Sequence, residues 1–204
     1  MGANGLAVLA FATTHIAAAG GMFGWVLVEW FHHKKITGFG AISGVIAALV
    51  AITPAAGFVS TGSALLIGFI AGGICYFAVS ILKAKLGYDD ALDAFGIHGV
   101  GGIWGTIATG IFADISLNPL GSNGLINGGG IHVILVQLLG VIVTIAFVGL
   151  MTMILLKIVA LFTPLRASDN EQASGLDITQ HGENAYPDFE LSENVFNVDY
   201  PLKL

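Results

Sequence analysis

The sequence predicts an all-α, polytopic membrane protein, on three observations. The chain is 55% hydrophobic and 10% charged, with a mean hydropathy of +0.87, which leaves too little polar surface to cover a water-soluble globule of 204 residues. Its apolar residues fall into five runs of about the length a bilayer core requires, roughly 20 residues each. Those runs are continuously apolar and lack the alternation of a lipid-facing barrel strand, so helices are the spanning elements.

The first run, 6–31, is longer than a signal-peptide core and has no basic segment before it, so it is expected to stay as a spanning helix. Met1-Gly2 opens like a myristoylation site, but Leu6 stands where Ser or Thr is needed. After the turn His32-His33-Lys34-Lys35 come the second run, 37–59, and the third, 63–82. The fourth, 95–112, follows a polar stretch from Lys83 to Asp90, and the fifth, 131–162, follows a Gly- and Asn-rich connection from Asn118 to Gly130. Residues 1–164 thus form a predicted transmembrane bundle and 165–204 a polar, acidic tail of disordered character.

Charge gives the bundle an expected direction. Lys34 and Lys35, Lys83 and Lys85, and Arg166 follow alternate helices and fall on one side, which the positive-inside rule makes cytoplasmic. The N-terminus is then expected outside and the tail inside a plasma or bacterial inner membrane. Before residue 165 the acids Glu29, Asp89, Asp90, Asp93 and Asp114 balance five lysines, so the whole net charge of -6 resides in the tail. That sign argues against nucleic acid and anionic lipid as partners. Cys75 stands alone, so no internal disulfide can form. No tight cluster of His, Cys and acids suggests a metal, and no nucleophile or phosphate loop suggests an enzyme or a cofactor.

Many of the 29 glycines lie within the apolar runs, among them Gly68, Gly72, Gly101 and Gly105. Small residues let helix backbones approach closely in lipid, so they predict a tight bundle. His98 is the leading candidate for function, because an ionisable group inside a spanning segment is costly and rarely ornamental. Asp89, Asp90 and Asp93 precede its helix, where carboxylates can cap the free amides. Glu29 is expected to snorkel or to pair with Lys34 or Lys35, and His32 and His33 to be solvated.

The segment Asp90-x-x-Asp93-x-Phe95-Gly96-x-His98-Gly99-x-Gly101-Gly102 resembles the signature of the ammonium transporter family, to which the Rh glycoproteins are related. The likeness extends in order along the chain. Gly24-Trp25, Glu29-Trp30 and Ala51-Ile52-Thr53-Pro54-Ala55-Ala56-Gly57-Phe58-Val59 lie upstream of that segment. Thr109-Gly110-Ile111-Phe112-Ala113, Gly175-Leu176-Asp177 and His181-Gly182-Glu183-Asn184-Ala185-Tyr186 lie downstream. The resemblance implies a fold of eleven helices made of two inverted five-helix repeats and a final helix, assembled as a homotrimer with one pore per subunit. This chain would supply helices seven to eleven and the cytoplasmic tail. The first six helices, with the first pore histidine, the phenylalanine gate and the outer recruitment site, would lie outside it, and five helices alone would not complete a pore.

Carried over by position, His98 matches the second of the family's twin pore histidines, and Ser43 and Thr53 match pore-lining hydroxyls. Asp90 and Asp93, with Gly99 and Gly101, match structural positions beside the pore. Gly175, Asp177, His181, Gly182, Glu183 and Tyr186 match a regulatory tail that docks on the cytoplasmic face, where a PII-type signalling protein can block conduction. The implied function is ammonium transport, in which ammonium is recruited, deprotonated and conducted as ammonia. Potassium resembles ammonium in size and charge but cannot shed a proton, and a bare cation pays heavily to enter low dielectric. Two other readings remain open, an ammonium sensor and a non-transporting fragment.

Overall fold

The structure, a computed structural model, describes residues 2–183, and every regular element among them is helical. Besides a 3-10 turn, Leu125–Asn127, and a π turn, Asp177–His181, the described residues form in order α1 (Gly5–His33), α2 (Gly38–Ile52), α3 (Thr61–Leu86), α4 (Phe95–Phe112), α5 (Ile131–Val159) and the short α6 (Asp169–Ser174). Four of these, α1, α3, α4 and α5, are long and apolar enough to cross a bilayer. The chain divides into two compact units, one reaching Phe147 and the other starting at Val148, with α5 crossing the division.

The second expected span, 37–59, proves shorter: α2 has 15 residues, about 22 Å of helix against a hydrocarbon core of about 30 Å. Pro54 is the cause. It has no N–H to give the Val50 carbonyl, which accepts instead from Thr53 N–H at 3.3 Å. The Ile52 carbonyl then takes both Ala55 and Ala56 N–H at 2.8 Å, closing the chain into tight turns. Elsewhere the helix ends depart from the apolar runs in both directions. α3 continues past residue 82 through a π-helical turn, Ala78–Leu82, to Leu86, whereas α5 ends at Val159, short of residue 162.

In the first unit α1, α2 and α3 pack with almost no side chain between them. A β-carbon on Gly21 would strike Ala48 and the Gly44 carbonyl of α2, one on Gly68 would strike the Ala17 carbonyl, and one on Gly72 the Gly21 carbonyl. Gly24 is pressed equally hard against Phe69. The small-residue packing expected from the sequence is therefore backbone against backbone. α4 joins through Gly105, which lies on the Ala51 carbonyl, and through Trp104, whose indole N–H donates to the Ile67 carbonyl at 3.0 Å.

Each end of this unit has its own fastening. At one end Tyr76, 2% exposed, meets Trp25 edge to face at 5.5 Å and lies 2.7 Å from His32 Nδ1. Glu29 there is buried and does not pair with Lys34 or Lys35: its carboxylate accepts from Thr37 Oγ1 at 2.8 Å and Thr37 N–H at 3.3 Å. Lys34 explains this, since its left-handed backbone, φ 58°, reverses the chain and brings Thr37 back under α1. The same Thr37 hydroxyl caps α2 by accepting from Gly40 N–H at 2.9 Å.

At the opposite end Thr13 Oγ1 donates to the Ala56 carbonyl, and Asp114 N–H donates to the Phe58 carbonyl at 2.8 Å, tying the turn after α2 to the loop after α4. Ser116 donates through its N–H at 2.9 Å and its hydroxyl at 2.6 Å to Asp114 Oδ1, which holds that carboxyl below its ordinary range.

In the second unit α6 starts at a capping box, with Ser168 accepting from Glu171 N–H and the Glu171 carboxylate accepting from Ser168. A π turn, Asp177–His181, follows and stops at Gly182, φ 67°. No residue of α5 is buried.

Candidate functional site

α2 and α4 cross so that one face of each borders an open groove of about 660 Å³, lined by Ile46, Leu49, Val50, Thr53, Pro54, His98, Gly102 and Thr106. On α4 the spacing of His98, Gly102 and Thr106 places them one above another, four residues and thus about one turn apart. The adjoining strip of α4, with Gly101 and Gly105 three and seven residues beyond His98, is committed to α2 and α3: Gly101 faces Cys75 Sγ and the Ala47 carbonyl. Packing of the glycine face thus directs the imidazole into the groove, where His98 is exposed.

The walls are mainly hydrocarbon, and their hydroxyls are occupied. Thr53 Oγ1 donates to the Leu49 carbonyl at 2.7 Å and Thr106 Oγ1 to the Gly102 carbonyl at 2.9 Å. Both oxygens retain lone pairs that can accept. The imidazole is the group in this lining that can both accept and release a proton.

The residues singled out in the sequence fall in different places. His98 and Thr53 share the groove. Ser43 lies further back on α2, 6% exposed, with its hydroxyl donated to the Phe39 carbonyl at 3.0 Å, and it is not part of the groove lining. Gly99 packs beneath the Phe95 ring. Asp90 caps α4 by accepting from Ala94 N–H at 2.9 Å and Phe95 N–H at 2.8 Å. Asp93 does not cap: it forms a 2.7 Å ion pair with Lys83 of α3. Thr106 had not been singled out, although its place eight residues beyond His98 on an apolar helix could have found it.

In the tail, Gly175 adopts φ 98°, Asp177 and His181 bound the π turn, and Glu183 N–H donates to the Asp177 carbonyl at 3.1 Å. Tyr186 lies outside the described residues. No three His, Cys, Asp or Glu side chains converge as a metal site among the described residues.

Apolar helices joined backbone to backbone, with one imidazole on an apolar groove, define a polytopic membrane protein. The chain belongs to the ammonium transporter family, whose model, described as Ammonium Transporter Family, matches residues 1–186. It is 53% identical over 185 residues to an ammonium transporter of Bacillus subtilis, a match covering 91% of this chain and 46% of that protein. Among solved structures it resembles Saccharomyces cerevisiae Mep2, with TM-score 0.74 and 38% identity over 82% of this chain and 39% of that one. A protein described as a sensor Amt protein aligns with TM-score 0.77 and 29% identity, over 87% of this chain and 43% of that one. The chain spans about half the length of the curated relatives it matches. The names those relatives carry are those of transporters, not of enzymes.

Proposed function

We propose that this chain forms one wall of an ammonium-conducting path, in which His98 and Thr53 face the permeating species. The observation that carries the reading is His98 standing on an otherwise hydrocarbon-lined groove. A surface of that kind rejects a bare cation and passes a neutral molecule, while an imidazole can relay the proton that ammonium must leave behind. His98 is then one of a histidine pair, its partner and the facing wall coming from beyond the described residues. In this reading Lys34, Lys35 and Lys85 face the cytoplasm, residues 165–204 are a cytoplasmic tail, and the assembly is a homotrimer able to receive a PII-type protein on that face.

Substituting His98→Ala in the native membrane polypeptide, reconstituted in proteoliposomes, is expected to lower ammonium flux by about 10²-fold or more. Flux and potassium exclusion equal to the unsubstituted protein would sink the reading. The likeness to a sensor Amt protein favours one alternative, in which the groove reports ammonium occupancy to a cytoplasmic partner. A folded, ammonium-binding protein with no measurable flux would select it.

A further inference from the structure

The ion pair between Lys83 and Asp93 joins the end of α3 to the start of α4, and its surroundings give it more to do than fasten two helices. Lys83 Nζ reaches Asp93 Oδ1 at 2.7 Å and also donates to the Asp90 carbonyl. Asp90, through its carboxylate, holds the first amides of α4. Asp93 has the left-handed backbone, φ 55°, a conformation Asp tolerates better than most residues but does not favour. Its own carbonyl accepts Ile97 N–H at 2.9 Å. The next turn, Phe95–Gly99, is π-helical, with Val100 N–H reaching back to the Phe95 carbonyl, and it contains His98. A second π turn, Ala78–Leu82, lies against it, for a β-carbon on Gly96 would come within 2.7 Å of Val79 Cγ2.

We propose that Lys83 is a positioning residue for His98: by clasping Asp93 and the Asp90 carbonyl, it holds α4 in the π-turn register that aims the imidazole into the groove. A π turn accommodates one residue beyond the α-helical count. If the clasp opens, Asp93 is free to leave its left-handed conformation and the turn can relax. A one-residue slip corresponds to about 100° of helical rotation, enough to carry the ring off the groove wall while leaving the glycine face of α4 packed.

This inference rests on the reading of His98 as a pore group, and the test separates the two. The native polypeptide, labelled with 15N-histidine in lipid nanodiscs, is compared with Lys83→Met, Lys83→Arg and His98→Ala, the last identifying the His98 resonances. Lys83→Met is expected to displace those resonances and to lower ammonium flux about tenfold or more, with Lys83→Arg restoring both. Unmoved resonances overturn the proposal, whatever the flux does. Displaced resonances with unchanged flux support the positioning and count against His98 as a pore group. If Lys83→Met does not fold, Asp93→Asn serves instead, since it removes the charged partner of Lys83 while leaving the tolerance for the left-handed backbone about as in Asp, and its readouts carry the same meaning.

Discussion

At the scale of single residues, Glu29 is a buried carboxylate, 8% exposed, with its hydrogen bonds supplied by Thr37. Thr37→Val keeps the shape but removes the hydroxyl, leaving Glu29 short of a donor and Gly40 N–H without its cap. The expected loss is about 1–3 kcal/mol, read as a lower midpoint of thermal unfolding in detergent; an unchanged midpoint would show the site open to water. The sequence hid this arrangement for a physical reason. Nearness along the chain pointed to Lys34 and Lys35, and only the reversal at Lys34 brings Thr37, eight residues on, to the carboxylate. Ser43 teaches the same lesson. Its separation from the groove depends on the rotation of α2 about its axis, which the contact of Gly44 with Gly21 sets.

At the scale of elements, the helices of the first unit are held by what their side chains omit. Gly68 faces the Ala17 backbone so closely that a larger residue must part α1 from α3. Gly68→Val is expected to cost about 1–3 kcal/mol or more, measured by thermal unfolding, whereas Gly73→Val, facing only Val28 Cγ2 at 3.6 Å, should cost little. Equal losses at both positions would contradict backbone packing as the source of cohesion. The apolar runs and their order were legible because hydropathy reports burial in lipid whatever the packing. The end of α2 was not, since Pro54 interrupts the hydrogen bonding inside a run that stays apolar through Val59. The π turns leave no mark in composition, and Lys83 read only as a basic residue following a helix.

At the scale of the whole molecule, the fastenings sort into two groups: His32 with Tyr76, Glu29 with Thr37 and Lys83 with Asp93 at one end of the first unit, Thr13 with Ala56 and Phe58 with Asp114 at the other. The charge rule assigns the lysine-bearing end to the cytoplasm. With the buried Cys75 replaced by Ala, a membrane-impermeant thiol reagent is expected to label Lys85→Cys only from the cytoplasmic side and Ser122→Cys only from outside. The reverse pattern would invert the proposed orientation. Family membership was legible at this scale because its signature spreads along the chain.

The early stop of α2 has an electrical result as well as a geometric one. A helix ends in carbonyls whose summed dipoles amount to roughly half a negative elementary charge, and here that terminus, at Thr53 and Pro54, borders the same groove as His98. It is a fixed charge built from peptide bonds, with no proton to gain or lose. A positive ion approaching that end would therefore meet the same attraction in acid and in alkali.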